Sequence, residues 1–358
     1  VEGFGDNDRR KWRRILEHQT QEGDWEDCLV LLCKLLTLHH KRSPWLLLDE
    51  YDRPIHEAYI RSKQQGEDIG RAGSYFDEMA SFMSIFLGEA LKGNDFLFRS
   101  VITGILRVAK EDIFSSVNNL GVYGVLDDRF ARRFGFTQAE VDELLRERDL
   151  IHRSELVRAW YDGYCFGQEQ PARVYNPWSV ISYVGTPANI PQEYWVNSGG
   201  VDILQSLGHK KTEQSWRTIE VLLSGGTVRQ DVSDNMPLRD LGSFSEVFYS
   251  LLLTSGYVTA SDLSRGVMGK TATLRIPNEE VCTAFRRLAK SWLRDTPSNE
   301  LLAALREGRP EEFARRLDVF ARASLSYFDI QPSEPEWVYH MLLLGILSHV
   351  VDEYRVRS

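Results

Sequence analysis

The sequence predicts an α/β fold: a partial parallel-sheet core near the amino end, followed by a mainly helical region with a winged-helix-like order inside it. Three observations carry this. Apolar runs at 45–48 and 96–102 are separated by helical patterns. That strand–helix–strand order implies a parallel pair with a right-handed crossover. From about residue 111 the apolar spacing becomes mostly helical. Near residues 257–259 and 273–276, two short strand-like runs flank a polar turn.

The elements follow in order. Over residues 24–40, Trp25, Cys28, Leu29, Leu32, Leu35 and Leu36 fall at helical spacing, with Asp24 as the expected cap. Lys34, Lys41 and Arg42 suit the carboxyl end of that helix. Ser43-Pro44 breaks it, and a buried strand over 45–48 is expected next. Pro54 fits the first turn of another helix. Residues 61–73 are polar and contain Gly, which predicts an exposed loop. Ser74 opens a helix whose apolar side carries Phe76, Met79, Phe82, Met83, Phe86, Leu87 and Leu91, and Gly93 ends it. A strand over 96–102 then runs to Thr103-Gly104.

Further on, Thr137-Gln-Ala-Glu140 is a capping box that opens a helix to Arg148. Asn176-Pro177 starts another helix, and residues 244–253 form an apolar one. The ribbon of two short strands is closed by Pro277-Asn278, and Asn278 caps a helix to about Leu293. Residues 310–320 read as a helix with Pro310 in its first turn. Residues 331–335 read as a linker, and residues 336–354 as a long helix. There is no internal repeat.

At 358 residues the chain is long for one core and suggests two or three domains. The composition is 42% hydrophobic and 27% charged, which excludes a disordered or low-complexity chain. The formal net charge of −9 argues against coating nucleic acid with the whole surface, while leaving room for a local basic patch. Cys28, Cys33, Cys165 and Cys282 form no metal-ligand spacing and read as reduced core thiols of a cytoplasmic protein. No signal peptide is visible, and the apolar run at 341–351 is too short to span a bilayer, so no membrane partner is expected. The chain starts at Val1 and ends on residues that read as the start of a strand, so a segment truncated at both ends is expected.

The chemistry concentrates at Trp45-Leu-Leu-Leu-Asp-Glu-Tyr-Asp52, where an apolar run stops at two adjacent carboxylates. Parallel strands share a carboxyl end, so Thr103 should lie on the same sheet edge as Asp49 and Glu50, the edge where open α/β sheets bind ligands. Asp49 is suited to hold Mg²⁺, which often takes one or two carboxylates plus substrate phosphates. Glu50 could orient or deprotonate an attacking water. Thr103 could reach a γ-phosphate or that water, and Arg107 and Lys110 could face a nucleotide. The alternative is that strands commonly end in Asp or Glu because loops are polar.

A phosphate-gripping G-x-x-x-x-G-K-[ST] does not occur in residues 1–44. Gly269-Lys270-Thr271 has the terminal triplet, but Ser264 takes the first glycine's place and the following residues alternate like a strand. That favours a hairpin. His39-His40 reads as a helix-end dipole feature, and Tyr339 and His340 read as part of an apolar helix. Arg286, Arg287, Lys290 and Arg294 form a basic stripe, read first as a solvated face and second as a nucleic-acid contact.

Several strings in one order, namely WLLLDEYDRPI, FLFRSVITGILRVAKEDIFSSVNNL, FGFTQAEVDELL, WYDGYCF, VYNPWSV, EYWVNSGG, SGYVTA, LRIPNEEV and EPEWVYHMLLLGILSHVVDEYRVRS, resemble the AAA-ATPase-like family of prokaryotic proteins with a C-terminal PD-(D/E)XK nuclease-like domain. The resemblance implies a partial P-loop ATPase core over 1–183, a helical, winged-helix-like region over 184–295, and over 296–358 the first helix of a restriction-endonuclease-like domain. It implies that Asp49 and Glu50 are the Walker B pair, with Asp49 on the metal and Glu50 catalytic. It also places Thr103 at the sensor position, Arg107 and Lys110 in a basic phosphate or inter-subunit motif, and Glu336 on the nuclease-domain helix. Asn118, Asn119, Trp160 and Tyr161 match family strings, with packing as their reading from the residues. ATP and Mg²⁺ are the cofactors so implied, with nucleotide, nucleic acid and a second copy of the chain as partners. The expected function is an Mg²⁺-dependent ATPase coupled to a nuclease-like module. The alternative is a degenerate P-loop scaffold that binds or regulates without turnover. Neither the phosphate loop nor the nuclease core lies within these residues, so weak or absent ATP binding is expected of the 358-residue chain.

Overall fold

The computed structural model describes residues 3–21, 23–69, 73–105, 117, 120–169, 171–195, 213–233, 245–265, 270–294 and 298–324. The fold is mixed α/β and mostly helical, with a small parallel sheet. Its elements are α1 (Asp6–Leu16), α2 (Cys28–His40), β1 (Trp45–Leu48), α3 (Arg53–Gln64), α4 (Tyr75–Leu91), β2 (Arg99–Ile102), α5 (Gln138–Glu147), α6 (Ser154–Tyr161), β3 (Tyr164–Phe166), β4 (Ala172–Val174), α7 (Pro177–Gly185), α8 (Glu213–Leu223), β5 (Val228–Val232), α9 (Ser245–Thr254), β6 (Thr259–Arg265), β7 (Lys270–Arg275), α10 (Glu279–Arg294), α11 (Ser298–Arg306) and α12 (Pro310–Ser324). They divide into two compact units interleaved in sequence: residues 1–134, 165–173 and 229–273, and residues 135–164, 174–228 and 274–358.

In the first unit β1 and β2 pair in parallel, with Trp45 opposite Arg99 and Leu48 opposite Ile102. Helices α3 and α4 pack together and bury Ile55, Ala58, Tyr59, Phe76, Met83 and Leu87. Full burial of a large aliphatic side chain such as Ile55 or Leu87 contributes about 1.5–3 kcal/mol. Ser74 caps α4 as its sequence predicts, accepting from Asp77 N at 3.1 Å. The expected loop over 61–73 is shorter than the polar composition suggests, because α3 runs to Gln64. Ser62 is fully buried there and donates to Glu67 Oε2 at 2.6 Å while accepting from Phe76 N at 3.1 Å.

Two further expectations for this unit are corrected, and one helix was not read from the sequence. Asp24 does not cap α2, which starts at Cys28. Its buried carboxylate instead accepts from Arg14 Nε at 2.9 Å, from Arg14 Nη2 at 2.8 Å and from Gln21 N at 2.9 Å. The Arg14 guanidinium, with the Gln21 amide, holds that carboxyl well below the usual carboxylate range. Helix α1, which was not read from the sequence, buries no side chain. Charge pairs hold it instead: Lys34 Nζ to Asp8 at 2.6 Å, and Lys11 Nζ to Asp27 at 2.5 Å. The β1 strand is not buried as expected. Only two strands form this sheet among the described residues, so alternate side chains stay open: Trp45 is 54% exposed and Leu47 71%, while Leu46 and Leu48 are half-buried.

The helix-then-ribbon order is observed, with longer strands than the sequence suggests. Strands β6 and β7 are neighbours, and β5 adds to the other side of β7. Lys270 and Thr271 lie within β7, and Thr271 Oγ1 donates to Asp231 Oδ1 at 2.6 Å. A strand, not a helix, follows the Gly-Lys-Thr triplet, as a hairpin requires.

The second unit has a core of Val141, Leu145, Val157, Tyr161, Tyr175, Val180 and Tyr183. Helices α5, α7, α10 and α12 begin where the sequence says, whereas α6, α8 and α11 were not read from it. Thr137 and Glu140 form the reciprocal capping box of α5, and Asn176 Oδ1 accepts from Trp178 N and Ser179 N. Tyr161 is fully buried with Trp160 packed nearby, so both are packing residues. Asn278 Oδ1 caps α10, accepting from Val281 N at 3.0 Å, while its amide donates to Asp162 O at 2.8 Å. The fully buried Glu280 accepts from Ser179 Oγ at 2.7 Å and from Tyr194 N and Trp195 N at 2.7 and 2.9 Å. Helices α11 and α12 form a hairpin closed by Leu301, Leu302, Leu305, Phe313 and Leu317.

Gly163 marks the tightest backbone approach in this unit. Its φ is +106°, and a Cβ there would meet Pro277 O at 2.2 Å. Neither obstacle can move aside as a side chain would. Gly163→Ala is therefore expected to lower stability by more than about 1 kcal/mol in urea denaturation. An unchanged midpoint would contradict this close packing.

Candidate functional site

The site is built by continuing the parallel ladder past the strand ends. Thr103 N donates to Leu48 O at 2.9 Å, and Tyr51 N donates to Thr103 O at 3.1 Å. Thr103 is thereby held beside the turn that carries Asp49 and Glu50. Its hydroxyl donates to Asp49 Oδ1, which also accepts from Glu50 N at 3.0 Å. Asp49, Glu50 and Thr103 are all exposed at this edge.

Glu50 has φ +52°, an uncommon conformation for a residue with a side chain. Its Oε2 lies 3.2 Å from Arg53 Nη1, and Arg53 Nε in turn donates to Glu57 Oε1 at 3.1 Å. The pair is solvent-exposed, so it is a weak and exchangeable restraint. The structure thus places Thr103 against Asp49 and Glu50 against Arg53.

Behind this exposed edge lies a buried pair. Asp52 is 2% exposed and His56 8%. His56 Nε2 lies 3.3 Å from Asp52 Oδ2 and has no hydrogen-bond partner among the described residues. Burial pushes the imidazole below its ordinary value, against the opposing pull of Asp52 and Glu50.

Oxygen donors of this kind suit a hard cation. One exposed carboxylate, steadied by a hydroxyl and a backbone amide, matches the part that a protein supplies when water and phosphates complete an Mg²⁺ shell. Among the described residues no group of three or more His, Cys, Asp or Glu could hold a metal alone. Arg107, Lys110, Asn118, Asn119, Tyr339, His340 and Glu336 lie outside the described residues. On α10, Arg286 is exposed, and Arg287 is paired with Glu193 at 2.6 Å, which removes one charge from the basic stripe. The side chains of Lys290 and Arg294 are outside the described set. The four cysteines are free thiols, and burial raises those of Cys28, Cys33 and Cys282. Arg53, Asp52 and His56 were missed in the sequence: their i,i+3 and i,i+4 spacings permit contact at a helix start but do not single these residues out.

Residues 5–114 match the AAA-ATPase-like family, described as a predicted AAA-ATPase. An uncharacterized protein in the vnfD 5′ region of Azotobacter chroococcum mcd 1 is 26% identical over 238 residues, 66% of this chain and 40% of that protein. The chain therefore spans well under two thirds of the relative it matches. No solved structure matches it. No helix among the described residues is long and apolar enough to cross a membrane.

The depressed His56 value gives a pH signature. Folding favours the neutral ring, so its contribution is complete above the ordinary imidazole value of about 6.5 and is lost as pH falls through the lower folded value. His56→Gln is expected to flatten the fall in thermal midpoint between about pH 7 and pH 5. Calorimetry at several pH values reads this directly, and an identical slope in the variant would contradict it.

Proposed function

We propose that this chain is part of an Mg²⁺-dependent P-loop ATPase, with Asp49 and Glu50 as its Walker B pair. The observation that supports this is the Thr103 hydroxyl donating to Asp49 at the shared carboxyl end of two parallel strands. The match of residues 5–114 to the family agrees with it.

In this reading Asp49 presents a carboxylate oxygen to the metal of an Mg²⁺–ATP complex, and Thr103 fixes that carboxylate's rotation. Mg²⁺, when bound, neutralises charge on the phosphates. Glu50 takes the proton of the attacking water or orients it. To do so it must leave Arg53, a move that an exposed ion pair permits at little cost. Arg107 is assigned to phosphate contact, and Lys110 to the same basic motif. Residues 184–295 are assigned to a winged-helix-like region. Residues 296–358, with Glu336, are assigned to the start of a PD-(D/E)XK nuclease-like domain, and ATP binding is assigned to switching a conformation or an assembly with further copies or with nucleic acid. The setting is the prokaryotic cytoplasm.

A second reading rests on Arg53. Because it occupies the Glu50 carboxylate, the site could serve as a non-catalytic scaffold that binds and regulates. Turnover separates the two. In the natural protein Glu50→Gln is expected to leave nucleotide affinity within about threefold and to lower hydrolysis by at least about 100-fold, the scale of a general base. Asp49→Ala is expected to remove the Mg²⁺ dependence of binding. Phosphate release with nucleotide titration measures both. Unchanged turnover in Glu50→Gln would exclude Glu50 from catalysis, and absent turnover in the unaltered protein would favour the scaffold.

A further inference from the structure

We propose that Asp52 is a positioning residue that locks the Thr103–Gly104 turn to the Asp49–Glu50 turn, with Gly104 as its required partner and His56 behind it. The contact itself stands without any nucleotide; its consequence for turnover rests on the reading above.

Asp52 occupies the N-cap position of α3, where an Asp side chain ordinarily accepts from the first backbone amides of the helix. Its side chain makes no such bond. Only its backbone carbonyl serves the helix, taking Ile55 N at 3.1 Å and His56 N at 3.0 Å. The carboxylate is committed elsewhere. A Cβ placed on Gly104 would lie 2.6 Å from Asp52 Oδ1, 2.9 Å from Asp52 Cγ and 2.7 Å from Tyr51 Cε1. The carboxylate therefore fills the space that any side chain at residue 104 would need. Asp52 has little freedom to yield, being 2% exposed and backed by His56 at 3.3 Å.

The location gives this contact its meaning. Gly104 directly follows Thr103, whose backbone takes part in both bonds that extend the ladder and whose hydroxyl holds Asp49. Those bonds sit at an exposed strand end with no further strand beyond them among the described residues. Ladder ends fray unless something holds them. Asp52 wedges between the two turns from the buried side, so that Thr103 and Asp49 keep one relative position.

The test is amide hydrogen exchange by NMR on the 358-residue chain, comparing the unaltered protein with Asp52→Ala, Gly104→Ala, their double variant and Asp52→Asn. Both single variants are expected to speed exchange at the Tyr51 and Thr103 amides at least about fivefold, while Met83 and Leu87 of α4 stay within about twofold. The double variant should show less than the product of the single effects, because removing the carboxylate removes most of the clash. The isosteric Asp52→Asn should restore both amides to within about twofold of the unaltered protein. Unchanged exchange at Tyr51 and Thr103 in both single variants would overturn the proposal. So would acceleration spread evenly over α3 and α4, which would mark Asp52 as a stability residue only. Should Asp52→Ala fail to fold, Gly104→Ala carries the same decision at the same two amides. Neither readout involves nucleotide, so failure here leaves the ATPase reading intact, and failure of that reading leaves the contact intact.

Discussion

Two backbone hydrogen bonds beyond the ends of β1 and β2 set everything that the candidate site can do. Thr103 N to Leu48 O and Tyr51 N to Thr103 O continue the parallel register across the turn. Without them Asp49 and Thr103, 54 residues apart in sequence, would be unrelated polar residues on separate loops. With them, a hydroxyl from one strand end fixes a carboxylate on the other, the oxygen that the proposed reading assigns to a cation. In the same unit α3 and α4 pack against each other and bury Ile55, Tyr59, Phe76, Met83 and Leu87.

Charge does much of the remaining positioning. Helix α1 buries nothing and is tied down by ion pairs to Asp24, Asp27 and Lys34. In the other unit Glu280 takes one hydroxyl and two backbone amides, binding the 194–195 backbone to α10. Asp24 and Glu280 are buried and satisfied by specific donors, the arrangement under which a carboxylate can be held away from water. By contrast Glu50 meets Arg53 in solvent, where the interaction is weak. Glutamate is thus held by buried donors at position 280 and met only by an exposed guanidinium at position 50.

How much of this was legible depended on whether the signal was local. The parallel pair, the Ser74 and Asn176 caps, the Thr137–Glu140 capping box and the Asn278 start follow from order and residue type, and the structure reproduces each. Helix α1 was missed because Trp12, Ile15 and Leu16 are a weak apolar signal in a highly charged segment, and charges hold it in place. Asp24 looked like a cap because Asp caps helices, but a guanidinium ten residues away claims it instead. Strand β1 looked buried from its run of apolar residues, whereas a two-stranded sheet leaves Trp45 and Leu47 open. At the site, Asp49, Glu50 and Thr103 could be read from strand order, but Arg53 and the Asp52–His56 pair depend on the direction of side chains around a tight turn. Pattern reasoning does not supply that direction.

The central claim is that a divalent cation bound with nucleotide sits at Asp49, steadied by Thr103. Paramagnetic broadening by Mn²⁺–ATP in amide NMR spectra of the natural protein tests this most directly. The account predicts that the Glu50 and Thr103 amides broaden first and that Asp49→Ala abolishes the effect. Broadening centred elsewhere in the chain, or undiminished in Asp49→Ala, would contradict it.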